Sequence, residues 1–184
     1  MKKLLLILLL VCPSILYSQD FKTFYWGDSS LKVKSTEKAK LIMDGGDQLL
    51  EYESEISTLK PTLTYYFVND KLSGVLYSFK EIHSNKNLYI VDYEKTKELL
   101  IEKYGNPSKT QEEWQSDLFK GDKQYYGLAI SKGDLEMSVL WMSNRTNLIC
   151  RISGDNGKIV HGIYYSSKII TKNGIDKKED LNKL

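Results

Sequence analysis

The chain has 184 residues, with 26 Lys and Arg, 24 Asp and Glu, and a formal net charge of +2. This length is sufficient for one domain with its own hydrophobic core. The near-neutral charge and the lack of a run rich in Lys and Arg argue against nucleic acid as a partner, because nucleic-acid-binding proteins carry a basic surface.

The first 18 residues have the pattern of a cleavable secretion signal. Lys2 and Lys3 precede an apolar run over residues 4–11, and Ser18 precedes a polar segment. The run is too short to cross a bilayer, which takes about 20 apolar residues. We therefore expect cleavage after Ser18, a periplasmic or secreted product, and no transmembrane segment in the mature chain. In an alternative interpretation, Cys12 is the acylated cysteine of a membrane-anchored lipoprotein.

Removal of the signal changes the charge balance. Loss of Lys2 and Lys3 leaves 24 basic residues, equal to the 24 acidic ones, so the mature chain has a net charge of zero. The slight basic character of the whole chain thus comes from the predicted signal.

The first half of the mature chain is predicted to contain a short helix followed by four strands. The predicted helix begins with residues whose side chains can accept backbone N–H bonds and so cap a helix. The glycines of 44–47 favour a tight hairpin turn, and Asn69 with Asp70 favours another. The predicted elements are a helix at 29–37 and strands at 40–43, 48–53, 62–68 and 72–79.

The second half repeats this order. Asp92 is the predicted N-cap of a helix over 93–104, which Gly105 ends. Short turns at 143–145 and 154–157 separate alternating strands. The further predicted elements are a strand at 111–115, a short helix at 123–131 ending at Gly133, and strands at 135–141, 146–152 and 159–165.

These elements predict an α+β fold, an antiparallel sheet with helices packed on one side, because the turns are too short for parallel crossovers. The repeated order suggests two tandem helix-plus-four-strand units, about 24–82 and 88–166, in a single domain over 19–167. Charged residues dominate 168–184, which we predict to be a mobile tail.

Cysteine and histidine are scarce in the mature chain. Cys150 alone survives processing, so no internal disulfide is possible, and strand alternation predicts that its thiol is buried. His83 is assigned to a polar loop and His161 to a strand, where we expect it to be partly exposed. No Cys or carboxylate cluster accompanies either histidine at ligand spacing, so we expect neither a metal site nor a cofactor.

Tyrosine is unusually frequent, with 13 Tyr against 5 Phe. Two adjacent pairs, Tyr65-Tyr66 and Tyr164-Tyr165, lie in predicted strands, where neighbouring side chains point to opposite faces. One tyrosine of each pair should therefore face away from the core and offer a surface suited to binding. We assign this role to Tyr66 and Tyr164. The reverse assignment names Tyr65 and Tyr165, and tyrosine is also simply a favourable strand residue.

Several short motifs resemble a known kind of protein. They are Trp26-Gly27, Tyr104-Gly105-Asn106-Pro107, Trp114, and Trp141 before Arg145-Thr146-Asn147-Leu148. The chain resembles, over most of residues 24–166, small exported bacterial proteins of uncharacterised function whose fold is similar to that of the beta-lactamase inhibitor protein. The resemblance implies tandem helix-plus-sheet units that form a curved antiparallel sheet. It assigns no inhibitory residues.

Two functions of different classes follow as hypotheses. The first is an exported, non-catalytic binding module that recognises a protein or cell-envelope component through a tyrosine-rich sheet face. The second is an extracellular hydrolase in which a carboxylate pair, with Glu53 or Asp92 as members, supplies the acid and the base.

Overall fold

The computed structural model describes residues 19–170. The predicted signal at 1–18 lies outside the described residues, as does most of the predicted tail. Within the described part the elements are α1 (Ser30–Thr36), β1 (Leu41–Asp44), β2 (Leu49–Glu53), β3 (Thr62–Val68), β4 (Lys71–Ser78), α2 (Asn87–Tyr104), β5 (Lys109–Trp114), a 3₁₀ turn (Lys123–Tyr125), α3 (Tyr126–Lys132), β6 (Leu135–Met142), β7 (Thr146–Asp155) and β8 (Lys158–Ser167).

The eight strands form one antiparallel sheet in the order β1-β2-β3-β4-β8-β7-β6-β5. The last strands of the two halves, β4 and β8, pair at its centre, from Gly74 opposite Ser166 to Ser78 opposite Gly162. The α+β prediction with an antiparallel sheet is confirmed. Each half starts with a helix and contributes four strands, with α3 inserted before β6. The interpretation of the two halves as tandem repeats stays a prediction.

All three helices pack on one side of this sheet, which we call the covered face. Val33 of α1, Leu100 of α2 and Ile130 of α3 belong to the same buried cluster as the covered-face strand residues. One row of this face runs across the sheet through cross-strand neighbours: Leu50, Tyr65, Val75, Tyr165, Leu148 and Trp141. Each large apolar side chain buried here stabilises the fold by about 1.5–3 kcal/mol.

The longest helix starts earlier than the sequence pattern predicts. It begins at residue 87 rather than 93, and the Asn85 Oδ1 atom accepts the Asn87 N–H at 3.0 Å just before its first turn. The predicted N-cap, Asp92, lies inside the helix and is buried. Its carboxylate contacts His83 instead, so a tertiary contact, and not capping, accounts for an acidic residue near the helix start. The predicted end at Gly105 is confirmed.

Two hairpin turns set the register around β4 and β8. Asn69 and Asp70 join β3 to β4, and Asn156 and Gly157 join β7 to β8, all with φ between 50° and 83°. A two-residue loop with both φ values positive is the turn that matches the twist of paired strands. Asp155 therefore lies opposite Lys158, and the register of β8 follows from this turn.

The covered face also holds the strand histidine, contrary to prediction. His161 is only 4% exposed, its ring stacks on Phe79 with centroids 4.1 Å apart, and its Nε2 atom lies 3.9 Å from the Cys150 Sγ atom. Burial lowers the pKa of His161 to about 3 and raises the pKa of Cys150. The histidine is therefore neutral near pH 7. The predicted burial of Cys150 is confirmed.

The start of the predicted tail is hydrogen bonded to the sheet. The Lys168 N–H donates to the Arg145 carbonyl at 2.8 Å, and the Ile170 N–H donates to the Ser167 hydroxyl. Residues 171–184 lie outside the described residues.

Candidate binding groove on the open face of the sheet

The side of the sheet opposite the helices, which we call the open face, carries the predicted binding tyrosines. Tyr66 and Tyr164 lie half-buried on it, whereas Tyr65 is 0% and Tyr165 is 5% exposed on the covered face. The strand register explains this difference, because Tyr65 and Tyr165 both lie opposite Val75 in the core row. The reverse assignment, with Tyr65 and Tyr165 outward, is therefore wrong.

A groove of about 570 Å³ runs over the open face beside the centre of the sheet and continues past the end of β4, where it reaches the start of α2. One wall is formed by residues 79–82, which follow β4, and by the start of α2. The other wall is the end of the β7–β8 hairpin. Leu76, Ile149 and Tyr164 of the open face give the base of the groove a mainly apolar character, and Ser78 and Ser153 add hydroxyl groups.

Tyr164 lies over the backbone of β4 because residue 74 has no side chain. A Cβ atom at Gly74 would lie 2.8 Å from the Tyr164 Oη atom and 3.2 Å from its ring. The absence of a side chain at Gly74 therefore leaves space for the Tyr164 ring at one end of the groove. Tyr66 lies opposite Gly74 on the next strand, so both predicted tyrosines border the same glycine.

The loop that forms the first wall is fixed at two points. His83 Nε2 lies 2.6 Å from the Asp92 Oδ2 atom, and the backbone N–H of His83 donates to the Tyr89 hydroxyl at 3.1 Å. Lys86 Nζ donates to the Gly157 carbonyl at 2.9 Å, which connects the two walls. The sequence placed His83 in a polar loop and Asp92 at a helix cap. Their spacing of nine residues carries no signal that would predict this contact.

Charge around the groove is predominantly positive. Lys80, Lys86 and Lys158 line it, and within residues 19–170 none of the three forms an ion pair. Arg151 also lines it and pairs with Glu136. Among the described residues that line the groove, only Glu81 is acidic, and its carboxylate accepts the Lys60 N–H at 2.7 Å. The groove therefore combines an apolar base with a basic rim.

The carboxylates of the hydrolase hypothesis lie in different parts of the fold. Glu53 is an exposed residue of β2 and pairs with Lys40 at 2.6 Å. Asp92 is buried in α2 beside His83. Helix α2 packs on β7 and β8, and two strands separate β8 from β2. The structure does not bring these two carboxylates together. Among residues 19–170, no group of three or more His, Cys, Asp and Glu is arranged to hold a metal ion.

The fold defines the class of this protein: an α+β domain whose eight-stranded antiparallel sheet has one face covered by helices and a groove on the other. No family model, no curated protein and no solved structure matches the chain. The similarity to the beta-lactamase inhibitor protein fold therefore stays a prediction. Over the residues that the structure describes, no helix has the length and apolar character needed to cross a membrane.

Proposed function

We propose that the protein is an exported, non-catalytic binding module that recognises a protein or cell-envelope component through the open face, with Tyr164 and Tyr66 as contact residues. The observation that carries this proposal is the groove, in which the Tyr164 ring lies over Gly74 beside apolar residues and below a basic rim. Export rests on the secretion-signal pattern of residues 1–18.

The chemistry of the groove supports binding. A concave, mainly apolar site with a few polar groups is the usual form of a ligand site. Tyrosine suits such a site because its ring supplies a large contact area, its hydroxyl can hydrogen bond, and few rotatable bonds are lost on binding. Tyr164 is half-buried and the end of its side chain lies against β4 at Gly74, so part of the side chain is already packed in the free protein, which lowers the entropy lost on association.

Photo-crosslinking tests this proposal directly. A benzophenone amino acid at position 164 should crosslink one defined partner from an envelope extract, and the same group at position 125 should not. Tyr125 is an exposed tyrosine of the 3₁₀ turn and does not line the groove. The dissociation constant of the purified partner is then measured with Tyr164→Ala, Tyr66→Ala and the matched control Tyr125→Ala.

We expect Tyr164→Ala to weaken binding by about tenfold or more, as for a central aromatic contact, and Tyr66→Ala to weaken it less, because Tyr66 lies beside the groove and does not line it. Tyr125→Ala should leave binding unchanged. If neither Tyr164→Ala nor Tyr66→Ala alters the affinity for a confirmed partner, the open face is not the binding surface.

A further inference from the structure

One wall of the groove contains a sheet edge with which no other strand of residues 19–170 pairs. Strand β8 has ten residues, but β4 pairs with it only from Gly162 to Ser166, and the last bond between them runs from the Phe79 N–H to the His161 carbonyl at 3.0 Å. Residues 158–160 of β8 therefore extend past the end of β4. They pair with β7 on their other side.

The hairpin geometry indicates which backbone groups this edge presents. In an antiparallel pair, the hydrogen-bonding groups of successive residues point alternately to one neighbour and to the other. His161 points its carbonyl to the β4 side, so Ile159, two residues earlier, points its N–H and C=O to that side as well. No residue of β4 reaches Ile159, and Ile159 lines the groove.

The surroundings of this edge suit an extended chain with acidic side chains. Lys80 and Lys158 flank it from opposite walls, and Lys86, just before α2, donates across the groove to the Gly157 carbonyl. Two apolar side chains are exposed beside it: Ile82 is 92% and Val160 is 37% exposed. Main-chain hydrogen bonds supply affinity when a peptide extends a sheet, and pockets for alternate side chains supply specificity.

We infer that the partner segment that enters this groove is an extended, acidic peptide of a protein, which pairs with Ile159 along β8 in line with β4. This inference rests on the proposed function and specifies its partner. Backbone pairing distinguishes it from binding of an anionic lipid or small molecule, because only a peptide offers an N–H and a C=O at strand spacing. Glu or Asp side chains of the peptide lie near Lys80 and Lys158.

The test uses NMR with ¹⁵N-labelled protein that starts at Gln19. The probe is an acetylated, amidated peptide of alternating Glu and Val. At millimolar peptide the amide of Ile159 should shift and exchange more slowly with solvent, whereas the Glu/Val peptide N-methylated at alternate amides and a peptide of alternating Lys and Val should not produce these changes. Absence of a response to the Glu/Val peptide, or an equal response to its N-methylated form, overturns the inference.

Protein variants separate backbone pairing from side-chain contact. Ile159→Pro removes the outward N–H without removing a bond to β7, and Ile159→Ala keeps the N–H. We expect Ile159→Pro to weaken peptide binding about tenfold relative to Ile159→Ala, the loss of about one hydrogen bond. Equal affinities of the two variants overturn the inference. If Ile159→Pro does not fold, the inference is tested by comparing the Glu/Val peptide with its N-methylated form.

Charge is tested in the same way. The double variant Lys80→Gln with Lys158→Gln should weaken binding of the Glu/Val peptide. The matched pair Lys32→Gln, in α1, with Lys38→Gln, just after it, should not. Binding to phosphatidylglycerol vesicles without binding to the peptide would assign the groove to lipid and overturn the inference.

If Tyr164→Ala abolishes capture of the crosslinked partner while Ile159→Pro leaves it intact, the proposed function stands and the peptide-pairing inference fails.

Discussion

The two faces of the sheet are built from the same strands and use the same residue types for different purposes. Tyr65 and Tyr66 are neighbours, as are Tyr164 and Tyr165, yet one member of each pair is buried under the helices and the other borders a groove. The covered face contains rings in edge-to-face contact, such as Phe21 with Tyr165 at 4.8 Å between centroids. Position along the strand, and not residue type, therefore decides whether a tyrosine stabilises the core or lies at a surface.

Glycine residues on the two faces also differ in what surrounds them. A Cβ atom at Gly154 would lie 2.4 Å from the backbone oxygen of Ile130 in α3, so the covered face needs this glycine for close packing of a helix. At Gly74, on the open face, the nearest obstacle is the end of the Tyr164 side chain. Backbone cannot move aside cheaply, but a tyrosine ring can.

We expect removal of a covered-face tyrosine to destabilise the protein most. Tyr65 is fully buried and its hydroxyl donates to Glu37, so Tyr65→Ala should lower the free energy of unfolding by about 3–5 kcal/mol. Tyr66→Ala, one residue away, should lower it by no more than about 1 kcal/mol, since its side chain is half-buried. Urea unfolding of both variants measures the difference. Similar losses would show that both faces act as core.

An intermediate effect separates the two glycines. Gly154→Ala should lower the free energy of unfolding by about 1–3 kcal/mol, because the added methyl group meets backbone atoms of α3 and β8. Gly74→Ala should change stability by less than about 1 kcal/mol and shift the Tyr164 ring. Thermal unfolding gives the stabilities, and the NMR signals of the Tyr164 ring report its displacement. An unmoved ring in Gly74→Ala would contradict the close approach that we describe.

A smaller effect depends on pH and concerns the buried histidine. Because burial lowers the pKa of His161 to about 3, the unfolded chain takes up a proton near pH 6.5 while the folded chain does not. This difference in protonation adds to the free energy of unfolding. Its contribution is fully present above pH 6.5 and is lost as the pH falls toward 3. From pH 7 to pH 5 the loss is about 2 kcal/mol.

His161→Phe keeps a ring against Phe79 but cannot titrate. Its free energy of unfolding should therefore fall less between pH 7 and pH 5 than that of the unchanged protein, by about the same 2 kcal/mol. Urea unfolding at both pH values measures this, and the carboxylates, common to both proteins, cancel in the comparison. Parallel losses in the two proteins would mean that His161 is protonated in the folded state.

The elements that depend on local backbone preferences could be predicted from the amino-acid sequence. The strand alternation, the turn at Asn69-Asp70, the end of α2 at Gly105 and the antiparallel pairing all follow from backbone preferences and from loops too short for a crossover. The sequence also predicts a turn at 154–157, but β7 continues to Asp155 and only Asn156 and Gly157 form the turn. The candidate tyrosines could also be found, because adjacent strand residues must point to opposite faces. Their function in binding stays a prediction.

The contacts of each sheet face depend on how distant segments of the chain pack together. Alternation places His161 with Ile163 and Tyr165, but its burial became evident only once α2 was seen to pack on β8. The start of α2 was missed because Asp92 suits a cap, and its contact with His83 depends on how the loop after β4 folds back. The groove forms because β8 extends past the end of β4. These features arise from contacts between distant segments, which local backbone preferences do not encode.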